Sequence, residues 1–220
     1  MSQVIIFGNG LVASLAHFYL THDSEHEVVA FTVDRTHVGD ATLFDLPVVP
    51  FDEVVERYPP DQFRMFVAVG YGRMNKFRQE RYEQSKALGY ELISYVSSKA
   101  STWPGAMIGD NCFIMENNVI QPFTRIGNDV IMWSGSHVAH ESTIRDHCFI
   151  SSHVVVSGMV TIEENCFIGV NATIRDQVTI ARECVIGAGV VVRKSTQERE
   201  VYAATRPELL RITSDRLPSV

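Results

Sequence analysis

What this 220-residue chain lacks narrows its chemistry before any motif is read. It carries 19 basic against 26 acidic residues, a formal charge of −7, with no run of lysine or arginine. The electrostatic footprint of a phosphate-backbone binder is therefore missing, and nucleic acid is not an expected partner. No stretch approaches the roughly 18 consecutive apolar residues of a membrane-spanning helix, so no membrane insertion is expected. The opening MSQVIIFGNG has no basic leader and only a short apolar run before glycine, a poor fit to a signal peptide. The expected location is the cytoplasm, a reducing compartment in which the four cysteines stay as thiols. No metal site is expected either, since no acidic partner or spacing around His137, His147 and His153 suggests one. With 45% hydrophobic and 20% charged residues, however, the chain is rich enough to bury a real core.

The first part alternates strands and helices. The runs 3–7, 27–33, 63–69 and 90–96 are apolar, compact and ended by turn residues. Helical patterns fall between them at 11–21, 51–58 and 73–88, the last stopped by Gly89. Such alternation predicts a small parallel sheet with helices on both faces, a Rossmann-like domain over residues 1–95. The loop GNGLVA after the first run fits G-x-G-x-x-A, and Asp34 follows Gly10 by 24 residues, near the spacing of a ribose-binding carboxylate. Alone this suggests a dinucleotide, yet about 90 residues are too few for the six-stranded dinucleotide fold.

From about residue 104 the texture changes. Stepping by six from Ile108 through Ile114, Ile120, Ile126, Met132 and Val138 to Val192 gives fifteen apolar residues in unbroken register. With half of positions apolar, the chance of this in a given phase is about one in 2^15. Neither helix nor flat sheet has that period; a parallel β-helix of stacked hexapeptides does, and it is expected over 96–203. Cys112, Cys148, Cys166 and Cys184 are spaced by multiples of 18, three hexapeptides, which places them on one side of successive coils as small inward-facing residues. Side chains stacked in one row do not converge on zinc. The unbroken register leaves no room for an inserted loop, so an active site must sit on the coil surface. The tail 204–220 is expected to form a short capping helix with Leu209, Leu210 and Leu217 on one side.

The hexads IGDNCF, IEENCFIGVNATI and ARECVIGAGVVV, behind a small domain opening VIIFGNG, resemble the left-handed β-helix acyltransferases. More narrowly the chain is similar to bacterial nucleotide-sugar N-acetyltransferases and the related sialic-acid O-acetyltransferase group. The resemblance implies a homotrimer, acetyl-CoA lying in the groove between neighbouring coils, and N-acetylation of a nucleotide-linked amino sugar in cell-surface polysaccharide biosynthesis. Left-handedness comes from the resemblance alone, because the crossover rule favours the opposite hand.

The family's general base, a histidine followed by an acid, maps onto His140 and Glu141 in SHVAHES. A histidine suits the task because its pKa lies near working pH. One coil of eighteen residues beyond His140 is Gly158, which the family's pattern casts as the backbone donor to the acetyl oxygen. Gly169, Val170, Gly187, Ala188 and Gly189 lie where the family lets pantetheine run along the coils. Glycine at a coil corner for conformational reasons is an equal reading of the glycines among them. In the small domain the resemblance implies that Gly8, Asn9, Gly10 and Asp34 hold the nucleotide sugar, with Gly70 and Tyr71 behind them. The family's longer glycine loop ending in Gly-His is shortened here, with Leu11 after Gly10, and Trp133 replaces an asparagine seven residues before the base. Both positions face substrate in the family. His137, His147 and His153 read as surface or corner residues, His137 with the further option of lining the cleft. Sugar O-acetylation uses the same machinery and stays open; an NAD-dependent oxidoreductase and a catalytically silent trimeric module are the remaining alternatives.

Overall fold

The computed structural model describes residues 2–205; the expected C-terminal helix with its three leucines lies outside the described residues. The small domain holds a five-stranded sheet in the order β3-β4-β2-β1-β5, made of β1 (Gln3–Phe7), β2 (Glu27–Val33), β3 (Thr42–Leu43), β4 (Leu46–Pro50) and β5 (Arg64–Val67). β4, β2, β1 and β5 run parallel; β3 is antiparallel, a hairpin onto β4, so the sheet is not wholly parallel as expected. β1 is buried almost throughout because both its faces are covered. The long helices are α1 (Leu11–His22) and α3 (Lys76–Ala87); between them the expected helix at 51–58 is a 3-10 turn followed by α2 (Val54–Arg57).

Two differences from the expected pattern have physical reasons. α3 begins at Lys76 because Arg73, Met74 and Asn75 all adopt left-handed backbone angles (φ +53°, +54° and +63°), a turn that no right-handed helix can include. The apolar run 90–96 does not add a strand to the five-stranded sheet. Leu92 makes one isolated parallel bridge to Met65, and Tyr95–Val96 turns away to become the first rung of the coil.

From there two-residue strands recur every six residues, from Tyr95–Val96 to Val191–Val192. From Tyr95–Val96 to Thr173–Ile174 each pairs in parallel with the strand eighteen residues on, as Val119–Ile120 does with His137–Val138. Three strands per coil give three faces. Face 1 carries Tyr95–Val96, Phe113–Ile114 and their successors; face 2 follows Ser101–Thr102; face 3 follows Met107–Ile108. From Ile108 on, the second residue of each strand to Val192 points inward, so Ile114, Ile120, Met132, Val138 and the rest of the six-residue register stack into one core. Each fully buried Ile or Val there contributes roughly 1.5–3 kcal/mol.

Corners between faces impose a left-handed angle on their second residue, including Asn111, Asn117, Asp129, Glu141, His147 and Asn165. Asn and Asp tolerate it best, because a short polar side chain bonds locally. Inward-facing small polar groups satisfy the corners from inside. The Cys112, Cys148 and Cys166 thiols donate to the carbonyls of Gly127, Glu163 and Ala181, fifteen residues on, at 3.0, 3.0 and 3.1 Å. Ser136 and Ser142 hydroxyls do the same to Ser151 and Ser157. All four cysteines are buried free thiols, the expected ladder, and burial pushes the Cys112 thiol up to about 12.

Face 1 is covered. Its outward Phe113, Ile131 and Phe149 share a core with Phe66, Leu20 and Tyr95 of the small domain and its connection. α3 lies along the corner between faces 3 and 1. The edge between faces 2 and 3 is opposite face 1, as the geometry of a three-sided prism requires.

Candidate active site

His140 sits on that far edge, in the corner between His137–Val138 and Thr143–Ile144. Its backbone N–H donates to Gln121 Oε1 at 3.0 Å, and its ring Nδ1 lies 3.4 Å from Glu141 Oε2. Nε2 is thereby turned toward the next coil. There stands Gly158, so close beneath the ring that a Cβ on it would meet His140 Cε1 and Nε2 at 2.9 Å. Gly158 does not adopt a left-handed φ, so space, not conformation, is what a side chain would violate. The Gly158 N–H has no hydrogen-bond partner among the described residues. A proton acceptor and a free backbone donor thus lie one coil apart, roughly 4.8 Å. Both side chains of the pair are half-exposed, His140 at 53% and Glu141 at 58%, open to a partner or substrate. The same edge exposes Trp103, Phe123 and Met159, an apolar stripe flanking the histidine below and above.

A second group lies on a different edge, between faces 1 and 2. Trp133, Ser151, Gly169 and Gly187 form one column at eighteen-residue spacing. The glycines are needed for stacking: a Cβ on Gly169 would come within 2.7 Å of Ala188 N and 2.8 Å of Gly187 C, and one on Gly187 within 2.8 Å of Tyr202 O. Their own N–H groups are consumed by Ile186 O and Tyr202 O. The next residues, Val170 and Ala188, keep backbone N–H groups without partners among the described residues, a row of donors suited to an extended amide chain. Gly189, at φ +70°, has open space around it.

The third group is a cavity of about 240 Å³ at the carboxyl end of the sheet, where the order reverses on either side of β1. Gly8, Asn9, Gly10, Asp34 and Gly70 line it together with Phe7, Val33 and Phe77. Gly8 adopts φ +124°, and a Cβ there would strike Ala68 O at 2.7 Å. Asn9 donates to His37 O, which orders the loop, and Gly10 is the N-cap of α1 with no side-chain cap, so the first N–H groups of the helix have no side-chain partner beside the cavity. Leu11 also lines the cavity, where the shortened loop places it. Tyr71 does not line it; its ring packs edge-on against Phe149 and Phe167 of face 1. Trp133, at the edge of that face, packs beside Phe149.

Family models for hexapeptide repeats match twice: the bacterial transferase hexapeptide over residues 105–140 and the hexapeptide repeat of succinyl-transferase over 159–194. Among curated proteins nothing matches the sequence. Among solved structures the acetyltransferase domain of PglB from Neisseria gonorrhoeae superposes with a TM-score of 0.82, 25% identity, and coverage of 91% of this chain and 96% of that one. A point mutant of perosamine N-acetyltransferase from Caulobacter crescentus, solved with CoA and GDP-perosamine, gives a TM-score of 0.81 at 24% identity over 91% and 93%. WeeI from Acinetobacter baumannii gives 0.69 at 19% over 92% and 94%. This chain has the left-handed β-helix fold of the hexapeptide-repeat transferases.

Within that fold the chain brings its candidate residues together only in groups. The edge that carries His140, the row of free N–H groups and the cavity of the small domain are separate, the first opposite the face on which the small domain rests. Sequence reasoning also missed charged residues of α3. Arg81 Nη2 lies 3.1 Å from Asp34 Oδ2, so the carboxylate at the cavity is already ion-paired. Arg78, wholly buried, meets buried Asp129 of the coil. Only an acidic and basic helix pattern was legible, with nothing to distinguish its inward from its outward charges. Among the described residues no group of three or more histidine, cysteine and carboxylate side chains could hold a metal ion, and no helix is long and apolar enough to cross a membrane.

Proposed function

We propose that the chain transfers an acetyl group from acetyl-CoA to the amine of a nucleotide-linked amino sugar, as a cytoplasmic homotrimer serving cell-surface glycan synthesis. The observation that carries this is the stacking of His140 over Gly158 on a β-helix whose structural neighbours are sugar acetyltransferases. His140 Nε2 takes a proton from the amine as its nitrogen bonds to the thioester carbonyl carbon. Negative charge then builds on the carbonyl oxygen, where the free Gly158 N–H can meet it. Collapse breaks the C–S bond, and the departing sulfur takes the proton back from the imidazolium. Glu141, against Nδ1, orients the ring and favours its charged form.

Val170 and Ala188 N–H groups fit the amides of pantetheine, and Gly169 and Gly187 bring the coils close enough to form the row. Gly8, Asn9, Gly10, Asp34 and Gly70 hold the nucleotide, with its phosphates at the start of α1. Tyr71 and Trp133 flank the path from that cavity along face 1. Because the base edge is opposite face 1, a neighbouring copy must bring its cavity to this His140. A contact of that head-to-tail kind closes into a ring, and three copies around parallel coils bury the stripe of Trp103, Phe123 and Met159.

The test is a thiol-release assay with acetyl-CoA against a panel of UDP-, GDP- and dTDP-linked amino sugars and their hydroxy counterparts. Release with an amino sugar, reduced at least 10³-fold in His140→Ala while the assembly and acetyl-CoA binding persist, is the expected result. Near-normal release in that variant refutes the assignment of the base. Release with hydroxy sugars alone identifies an O-acetyltransferase.

A further inference from the structure

The nucleotide cavity belongs to the small domain, yet part of its wall is anchored to the coil. The wall Ala68–Gly70 follows directly on β5, whose outer edge is unpaired beyond the single bridge at Leu92. At Val67 that edge is completed by a side chain: Asn111 of the coil accepts from Val67 N–H at 2.8 Å through Oδ1 and donates to Val67 O at 3.2 Å through Nδ2. A carboxamide thus takes the place of a strand. At the other end of the wall, Arg78 Nη1 donates to Gly70 O at 3.3 Å.

Both anchors converge on one carboxylate. Asn111 Nδ2 donates to Asp129 Oδ1 at 2.7 Å, and Arg78 Nε stands 3.1 Å from Asp129 Oδ2, a charge contact rather than an aligned hydrogen bond. His147 Nδ1 is 2.9 Å from that same Oδ2. Arg78 Nη2 donates to the carbonyls of Asp129, His147 and Cys148, so the guanidinium is seated in the corner backbone itself. Asn111, Asp129 and Arg78 are essentially without solvent exposure. The left-handed turn through Asn75 is held by the same device, with Asn75 Nδ2 on Cys166 O and its Oδ1 accepting from Arg78.

From this geometry we infer that Asp129 is a positioning residue for the nucleotide cavity, holding both ends of the Val67–Gly70 wall through Asn111 and Arg78. The β-helix, in this view, shapes the donor-side scaffold and also the pocket for the acceptor's nucleotide. Removing either anchor leaves the cavity's residues in place but frees its wall to move, and binding then has to restore the order. The inference deepens the nucleotide-sugar reading and rests on it only for the identity of the ligand.

The test has two arms, on Asp129→Asn and on Asn111→Gly, the second keeping a residue suited to the corner's left-handed angle and leaving the Arg78–Asp129 contact intact. In the ligand-free protein, exchange of the Ala68 amide, bonded to Phe7 O at 2.9 Å, is expected to rise at least tenfold while amides of β2 keep their protection. In calorimetry with UDP, GDP and dTDP, whichever nucleotide binds the wild type is expected to bind each variant at least tenfold more weakly, with acetyl-CoA affinity unchanged. If Asp129→Asn does not fold, Asn111→Gly carries both arms. Unchanged Ala68 exchange in a folded variant overturns the proposal, as does unchanged nucleotide affinity. A wild type that binds none of the three nucleotides refutes the nucleotide-sugar reading instead, and the exchange arm still decides the positioning role.

Discussion

The most discriminating perturbation of the proposed centre is one methyl group, Gly158→Ala. The added Cβ would sit 2.9 Å from His140 Cε1 and Nε2, where ordinary contacts begin near 3.4 Å. The ring must therefore retreat by about half an ångström or more. That retreat is cheap in stability, because the displaced atoms are the tip of a half-exposed side chain and the backbone angle suits alanine. The expected loss of folding stability is about 0.5 kcal/mol or less, the usual range for surface substitutions that break no buried contact. Catalysis is less forgiving. A misplacement of about 1 Å costs on the order of 10²-fold, so a drop of roughly 10–100-fold in kcat is expected, equivalent to about 1.4–2.7 kcal/mol of transition-state stabilisation. Thiol release measures kcat, and differential scanning calorimetry measures the fold. A variant with unaltered melting and kcat within twofold of wild type would show that the space under the imidazole is not where the acyl group passes.

Other expectations follow from separate parts of the molecule. Gly8→Ala should lose nucleotide binding and melt earlier by calorimetry, because its Cβ meets the Ala68 carbonyl at an angle that alanine rarely adopts. Gly169→Ala should cost about 1–3 kcal/mol in urea unfolding, since the intruding Cβ meets backbone that only separation of the coils can relieve. The four thiols should resist alkylation until the chain unfolds; burial raises Cys112, Cys148 and Cys184 alike, and mass-detected labelling of the native protein at neutral pH would contradict this. Asp23, at the end of α1, takes hydrogen bonds from Ser98, Tyr95 and Ser97 that hold its carboxyl below the usual range. A depressed folded-state pKa stabilises above about pH 4 and is lost as pH falls, so Asp23→Asn should show a shallower decline of melting temperature between pH 4 and 2 than wild type.

Much of the coil was legible because its determinant is periodic. Val138 is inward, Cys148 is in its ladder, and Gly158 lies one coil from His140, all from counting by six and eighteen. The sheet was legible where apolar runs are buried on both faces, as in β1, and failed at 90–96, where the same apolarity serves the first coil rung instead. The left-handed turn at 73–75 carries no glycine or Asn-Gly to announce it, so the start of α3 was misplaced. In the candidate site, the cavity loop followed from glycine spacing, whereas the pairing of Asp34 with Arg81 depends on packing between elements nearly fifty residues apart. His147 was read as a corner residue, which it is, but nothing in its neighbours revealed that it is buried against Asp129.

The carboxamide of Asn111 that completes the edge of β5 also bears on how this protein can be divided. A fold whose sheet is finished by a side chain from the following domain has no clean seam: cut at the connection near residue 95, the first half keeps an open strand edge and loses the counter-charge of Arg78, while the second exposes Phe113, Ile131 and Phe149. Neither piece should behave as an independent folding unit, and the intact chain should melt in one step.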